Sequence, residues 1–247
     1  MTDAIIASRD GAVLTLRFNR PDKKNAITQA MYSTLADELE AAATDDRVRV
    51  VVFAGQADCF TAGNDLKDFM AGVQDFASSP VLRFLRTAAA FPKPMLAGVN
   101  GHAVGIGTTL LLHCDLVCLG TEARLQLPFV SLGLVPEFAS SLILPRMVGY
   151  PKAAEWLLTG QPFGAEAALE AGMVNRVAAS EGVDTVVAEW AQSLAEQPPE
   201  ALQAARRLMR APTQAETLQA IENEAEVFAE RLQSREFQQR VAAFFKR

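Results

Sequence analysis

A lone carboxylate, Glu137, lies in the apolar segment Leu132-Gly133-Leu134-Val135-Pro136-Glu137-Phe138. Removal of a carboxylate from water disfavours its charged form, and this makes the group a stronger base. The residue also follows Pro136, and a proline followed by an acidic side chain is typical of the first turn of a helix. The segment therefore predicts either an ordinary helix start or a carboxylate suited to proton transfer.

A glycine-rich loop has the sequence Gly101-His102-Ala103-Val104-Gly105-Ile106-Gly107 and lies between an apolar strand and the helical run Thr108–His113. Its spacing is not G-x-G-x-x-G, and no acidic residue follows at the distance of a ribose site, which argues against a dinucleotide. N–H groups at the start of the helix could hold an anion or a developing oxyanion. The glycines could equally serve only to bring strand and helix close together. The spacing leaves both interpretations open.

A second glycine turn has the sequence Phe60-Thr61-Ala62-Gly63-Asn64-Asp65-Leu66-Lys67 and opens a short helix. Two such loops could each direct one N–H at a shared oxygen, which is how thioester enolates are stabilised. Asn64 and Asp65 are also ordinary helix caps. The residues themselves do not decide between these roles.

Metal ligands are not indicated by the few histidines and cysteines. The only histidines are His102 and His113, and the cysteines nearest to them are Cys114 and Cys118, in a stretch that should be buried. Neither CxxC nor HExxH spacing is present. Cys59 completes an odd number of cysteines, in a chain long enough to need no disulfide framework. We therefore expect buried core residues and no metal site.

Composition places the chain among globular proteins. Its 247 residues include 23 basic and 29 acidic side chains, for a net charge of −6, and half of the residues are hydrophobic. With no Lys/Arg block longer than two, the electrostatic term on which nucleic-acid binders depend is missing. Apolar runs are far shorter than the ~20 residues that cross a bilayer, and the N-terminus lacks a signal-peptide core. We expect a cytoplasmic protein without nucleic-acid or membrane partners.

Local patterns predict an α/β body. A strand at 12–18 alternates in polarity behind Asp10-Gly11, which predicts a hairpin with 4–6. Thr28 is expected to cap a helix over about 29–43, and a Val-rich buried strand follows at 47–54. A unit of strand, glycine loop and short helix then recurs over Val50–Phe69, Met95–His113 and Leu116–Gly133. Such alternation favours a layered α/β architecture.

The C-terminal part is predicted to be helical. Ala-rich helices are expected at 164–171 and 183–196, with breaks at Pro198-Pro199 and again at Pro212. Apolar residues at helical spacing then form one stripe over Leu218–Leu232 and a second over Phe237–Phe244. Each stripe must be covered, either by the body of the chain or by another subunit.

Together these motifs resemble the crotonase (enoyl-CoA hydratase/isomerase) superfamily. The correspondence includes Phe18-Asn19-Arg20-Pro21, the two glycine loops, Cys114-Asp115, Leu132–Gly149 and Ala171-Gly172-Met173-Val174, so it covers nearly the whole chain. The resemblance implies an α/β crotonase-type spiral of strand–strand–helix turns over residues 1–190 and an α-helical C-terminal region over 191–247. It also implies a homotrimer or a hexamer of two trimers, with which an uncovered stripe at Leu218–Leu232 would agree.

The resemblance assigns the site residues by position. The N–H groups of the family's oxyanion hole fall on Asn64 and Ile106. The two glutamates of the family's hydratases fall on Thr109 and on Phe129, so both are absent. Glu137 occupies the place of the catalytic base in the Δ3,Δ2-enoyl-CoA isomerases of fatty acid β-oxidation. One carboxylate would remove the C2 proton and return it at C4.

An acyl-coenzyme A thioester is the substrate that the resemblance implies, with no cofactor. Other reactions stay open: hydration with Glu137 as the sole acid and base, another thioester-enolate reaction, or acyl-CoA binding without catalysis. The basic C-terminal residues are candidates for phosphate contacts. The expected substrate contacts are Lys23, Lys24, Ala62, Asp65, Leu66, Lys67, Gly105, Thr109, Phe129 and Leu132.

Overall fold

The computed structural model describes residues 3–56, 58–68 and 76–245. A six-stranded sheet has the order β1-β2-β3-β5-β7-β10, in which only the first pair is antiparallel. Its strands are β1 (Ile5–Asp10), β2 (Val13–Phe18), β3 (Val50–Ala54), β5 (Met95–Val99), β7 (Leu116–Gly120) and β10 (Arg176–Ala178). The predicted hairpin is confirmed.

A smaller sheet holds four short strands in the order β4-β6-β8-β9. They are β4 (Cys59–Thr61), β6 (His102–Val104), β8 (Arg124–Gln126) and β9 (Phe163–Gly164). Along the chain β3 leads to β4, β5 to β6 and β7 to β8, so each turn adds one strand to each sheet. This alternation confirms the predicted strand–strand–helix spiral.

The helices cover both faces of the large sheet and form the C-terminal region. They are α1 (Gln29–Thr44), α2 (Pro80–Ala90), α3 (Ile106–Thr109, continued by a 3-10 turn at Leu110–His113), α4 (Ser140–Val148), α5 (Tyr150–Thr159), α6 (Ala165–Glu170), α7 (Val183–Ala195), α8 (Pro199–Leu232) and α9 (Arg235–Phe244). The Thr28 hydroxyl caps α1 by accepting from the Met31 N–H at 3.3 Å. None of the described helices is both long and apolar enough to cross a membrane.

Strand β3 shows why the large sheet needs cover on both sides. Val51 and Phe53 belong to the main core, whereas Val50 and Val52 pack with Val183 of α7 in a second cluster. A strand buried on both faces reads as an unbroken apolar run. The Val-rich segment was therefore a reliable indication of a central strand.

Two predictions about local structure need correction, and the end of a third cannot be compared. Pro212 does not break the chain, because it lies inside α8. A proline within a helix costs about 3 kcal/mol. Tertiary contacts hold α8 on both sides of it: before Pro212 the buried Arg206 lies 2.8 Å from the partly buried Asp115, and after it Ile221 and Phe228 are buried in the main core. Pro136 is not the first residue of a helix, since α4 begins at Ser140. The recurring unit predicted at Val50–Phe69 ends outside the described residues.

The apolar stripe of α8 packs on the body of the same chain. Ile221, Ala225 and Phe228 are buried in the main core, and Phe237 and Val241 of α9 join them. The stripe therefore gives no support to the predicted trimer, which stays a prediction. The division at residues 190 and 191 also stays a prediction, and it falls within α7.

Candidate active site

A cavity of about 1160 Å³ lies among the loop after β2, the loops after β4 and β6, the segment after β8, and the C-terminal helices. Eleven of the thirteen predicted site residues line it. They are Lys23, Lys24, Ala62, Asn64, Asp65, Leu66, Lys67, Gly105, Ile106, Phe129 and Leu132. Thr109 and Glu137 are not among its lining residues.

The loop after β4 pairs with the segment at Ile27 and directs the Asn64 N–H away from that segment. The Ile27 N–H donates to the Gly63 carbonyl at 2.8 Å, and the Ile27 carbonyl accepts from the Asp65 N–H at 2.9 Å. Because residues 63 and 65 make these bonds, the N–H between them faces the opposite side. The Tyr32 hydroxyl holds the Asn64 side chain by donating to Oδ1 at 2.5 Å.

The loop after β6 places the Ile106 N–H at the start of α3. Gly105 precedes it with φ +57°, a conformation that favours glycine, and donates its own N–H to the Gln126 carbonyl at 2.9 Å. In the part of the chain that the structure describes, no protein acceptor meets the N–H of Ile106 or of Asn64. These two groups are therefore available to bind an oxygen atom.

The two loops are in direct contact. A Cβ added to Gly63, which has φ +86°, would lie 2.8 Å from the Val104 carbonyl oxygen. Asn64 follows Gly63, and Ile106 lies two residues after Val104, so this contact keeps their N–H groups close together. A close approach of backbone is therefore observed between these two loops, and the oxyanion site stays a prediction.

Glu137 is buried, with 6% of its surface exposed. The pKa of its carboxyl is raised to about 8, mainly by burial and in smaller part by the nearby Glu224, against a lowering by the Thr109 hydrogen bond. That bond runs from the Thr109 hydroxyl to Glu137 Oε1 at 2.5 Å. Glu137 lies in the loop before α4, and its carbonyl accepts from the Ser140 N–H at 3.1 Å. The helix-start interpretation of Glu137 is therefore wrong.

Asp65 has the capping role that was one of its two interpretations. Its Oδ1 accepts from the N–H groups of Lys67 and Asp68, at 3.1 and 3.3 Å. Its Oδ2 lies 2.6 Å from Arg20 Nη1. Asn64, in contrast, uses its side chain to bind Tyr32 rather than to cap a helix.

Sequence reasoning missed several residues of the site. Arg20 lines the cavity, Tyr32 holds Asn64, and Glu224 binds the segment after Glu137. Tyr32 gave no signal, because its position on the apolar face of α1 explains it as a core residue. Glu224 did give one, since it lies three residues after Ile221 and interrupts an apolar stripe. Of the basic C-terminal residues that were candidates for phosphate contacts, Arg240 lines the cavity, whereas Lys246 and Arg247 lie outside the described part of the chain.

No cluster of three His, Cys, Asp or Glu side chains suited to a metal occurs among the described residues. His113 is buried, and its Nε2 lies 2.8 Å from the Phe138 carbonyl oxygen. Burial lowers the pKa of His113 to about 3, so the ring is neutral and donates to that carbonyl. His113 therefore supports the loop that carries Glu137, through its hydrogen bond to Phe138.

Glu137→Gln is expected to stabilise the fold near pH 8 and to have a smaller effect near pH 5. The pKa of Glu137 is about 8 in the fold, against 4.5 for an ordinary glutamate, so the folded protein holds a proton that the unfolded chain releases. The free energy of unfolding therefore falls as the pH rises through this window. A tenfold difference in proton affinity is worth about 1.4 kcal/mol. The free energy of unfolding of the wild-type protein should therefore fall by an amount on the order of 2–4 kcal/mol between pH 4.5 and pH 8.

The measurement is thermal unfolding of both proteins at several pH values. Gln keeps an oxygen for the Thr109 hydroxyl but has no proton to lose, so its advantage should grow with pH. A difference in melting temperature that is the same at all pH values would show that Glu137 is not held protonated.

Comparison with known proteins agrees with this architecture. A family model described as Enoyl-CoA hydratase/isomerase matches residues 8–247. Enoyl-CoA delta isomerase 2 from Rattus norvegicus is 39% identical over 226 residues, which cover 89% of this chain but only 57% of the rat protein. The 2,3-dehydroadipyl-CoA hydratase of Escherichia coli K12 is 35% identical over 98% of this chain and 96% of its own length.

The structure of OdaA from Pseudomonas aeruginosa superposes with a TM-score of 0.96 at 46% identity, over the whole of both chains. An enoyl-CoA hydratase/isomerase structure from Pseudoalteromonas atlantica gives 0.95 at 40% identity, over 99% of this chain and 97% of the other. The family model leaves only the first seven residues unmatched. With the crotonase fold and this match along its length, the chain belongs to the enoyl-CoA hydratase/isomerase family.

Proposed function

We propose that this chain is a Δ3,Δ2-enoyl-CoA isomerase that moves a double bond in an acyl-CoA thioester. The observation that carries the proposal is the state of Glu137: a buried carboxyl whose pKa is raised to about 8, beside the loops with two available N–H groups. Thr109 and Phe129 occupy the places of the hydratase carboxylates. A general base works best when its pKa lies near the working pH, and Glu137 meets this condition.

The chemistry would proceed through a dienolate. With the thioester oxygen between the N–H groups of Asn64 and Ile106, the Glu137 carboxylate takes the C2 proton, and the C–H electron pair forms a double bond from C1 to C2. The carbonyl pair moves onto the oxygen, where the two N–H groups stabilise its charge. The oxygen pair then restores the carbonyl, and the C1–C2 double-bond pair moves to form the double bond between C2 and C3. The pair of the original C3–C4 double bond takes the proton from Glu137 at C4.

Access to the base is part of the proposal. Because Glu137 does not line the cavity, the bound acyl chain would have to displace side chains that separate them. Tyr32 is buried near both sites, since its hydroxyl donates to Asn64 Oδ1 and its pKa is raised first by burial and then by the charge of Glu137. A base kept from water in this way favours proton return over hydration.

The lining of the cavity supports the same substrate class. Phe129, Leu132 and Leu134 form an apolar wall suited to an acyl chain. Lys23, Lys24, Lys67 and Arg240 line the same cavity, and we assign them to the phosphates of coenzyme A. The relatives include a protein named as an isomerase and one named as a hydratase, so hydration of 2-enoyl-CoA is the second candidate.

A panel of 3-enoyl-CoA and 2-enoyl-CoA substrates of several chain lengths tests the proposal. Isomerisation changes the ultraviolet absorbance and leaves the mass unchanged, whereas hydration adds the mass of one water. We expect faster conversion of the 3-enoyl substrates. Faster hydration of 2-enoyl-CoA would replace the proposal with the second candidate, and binding without any conversion would indicate an acyl-CoA binding protein.

A further inference from the structure

A carboxylate from the C-terminal helix binds the segment that carries Glu137. Glu224 of α8 accepts hydrogen bonds from the Ala139 N–H at 2.6 Å, the Ser141 N–H at 2.9 Å and the Ser141 hydroxyl at 2.5 Å. Only 8% of Glu224 is exposed. These donors lie at the start of α4, whose first residues have no side-chain cap of their own. Glu224 therefore caps α4 from another helix.

The bound segment has a backbone that other contacts must hold in place. Phe138 and Ala139 have φ values of +61° and +57°, which each cost a residue with a side chain about 1–2 kcal/mol. His113 holds one side of the turn through the Phe138 carbonyl, and its ring stacks on the Phe138 ring at 3.8 Å. Glu224 holds the other side. The turn directly follows Glu137, so its shape sets where the Glu137 carboxyl lies.

We propose that Glu224 is a positioning residue for Glu137, because it fixes the turn that directly follows Glu137. This inference rests on the proposed function, in which Glu137 transfers the proton. Glu224 itself does not contact the substrate cavity, and all three of its hydrogen bonds go to protein groups. It would therefore act through Glu137.

Titratable groups from three elements surround Glu137, and only one of these groups carries a charge. Glu224 on α8 raises the pKa of Glu137, while Tyr32 on α1 and His113 after α3 are both neutral, the former because its pKa lies well above 10.0 and the latter because its pKa is about 3. Glu224 is thus the neighbouring group whose charge most directly opposes ionisation of Glu137. Its removal should shift the titration of Glu137 to lower pH.

The test compares Glu224→Gln with the matched control Glu222→Gln. Glu222 is two residues away on the same helix, half-exposed and paired with Arg86. Glu224→Gln should lower kcat about 10- to 100-fold with little change in KM, because the turn loses a hydrogen-bond acceptor and the base moves. It should also shift the acidic limb of the pH–rate profile to lower pH. Glu222→Gln should change neither quantity.

Ser141→Ala is the second variant, and it serves if Glu224→Gln does not fold. It removes one of the three hydrogen bonds and keeps the charge, so kcat should fall about threefold without a pH shift. Unchanged kcat and an unchanged pH profile in the folded variants would overturn the proposal.

Carbon NMR of protein labelled at the glutamate carboxyl carbon measures the Glu137 titration without substrate, with the signal assigned by its loss in Glu137→Gln. A shift of this titration to lower pH in Glu224→Gln would support the positioning role even if the wild-type protein failed to isomerise. If the Glu137 titration did not shift and Glu224→Gln isomerised at the wild-type rate, the positioning role of Glu224 would be refuted, and the proposed function would stand.

Discussion

Glu137→Gln is expected to lower turnover of 3-enoyl-CoA by about 10²- to 10⁴-fold, the range that general acid–base catalysis contributes. The variant keeps an oxygen for the Thr109 hydroxyl, so the surrounding structure is retained, but no group remains to take the C2 proton. Affinity for acyl-CoA should change little, because the cavity residues and the two N–H groups are untouched. Turnover is measured by ultraviolet absorbance, and affinity by calorimetry with a non-reactive acyl-CoA.

Thr109→Ala is the matched control for this prediction. It removes the hydroxyl that donates to Glu137 Oε1 at 2.5 Å and leaves the carboxylate in place. Its effect on turnover should be much smaller, and it should raise the pKa of Glu137, because that hydrogen bond lowers it. Full isomerase activity in Glu137→Gln would show that another group carries the proton.

Gly63→Ala is expected to lower kcat about 100-fold, comparable with the loss of one oxyanion donor. The added Cβ would lie 2.8 Å from the Val104 carbonyl oxygen, closer than a real Cβ contact allows, and both atoms belong to rigid backbone. The loops that carry the Asn64 and Ile106 N–H groups must then move apart. Since the charge on the thioester oxygen develops in the transition state, turnover should suffer more than substrate affinity.

Gly172→Ala separates this effect from backbone strain. Gly172 has a comparable φ of +73°, but a Cβ there would meet nothing within 4 Å. Both variants should lose about 1–2 kcal/mol of stability from the left-handed conformation. Only Gly63→Ala should lose turnover. Equal kcat values in the two variants would mean that the contact between the loops does not position the N–H groups.

The two predictions concern different parts of one proposed reaction. The loops would stabilise the charge on the oxygen, and any thioester-enolate reaction would need them. Glu137 would decide where the proton is returned to the substrate. A variant of Gly63 should therefore impair isomerisation and hydration alike. Glu137, in contrast, is required for the transfer of the proton from C2 to C4.

The sequence by itself determined the features that depend on neighbouring residues. The unbroken apolar run of β3 indicated a strand buried on both faces, and Thr28 marked the start of α1. Glycines at Gly63 and Gly105 marked the two loops, because positive φ is a local requirement that few other residues meet. The alternation of these strands, loops and helices indicated a layered α/β body, and the resemblance to the crotonase superfamily implied the spiral.

Only the tertiary structure decided the state of Glu137. Its hydrogen-bond donor, Thr109, lies 28 residues away in the chain, and Glu224 binds Ala139 across 85 residues. Burial and these contacts depend on how α3, α4 and α8 pack, which no local pattern encodes. The same reason explains Pro212, whose local preference to break a helix is overridden by contacts on both sides of it. A proton affinity is a property of the surroundings, and distant parts of the chain supply the surroundings of Glu137.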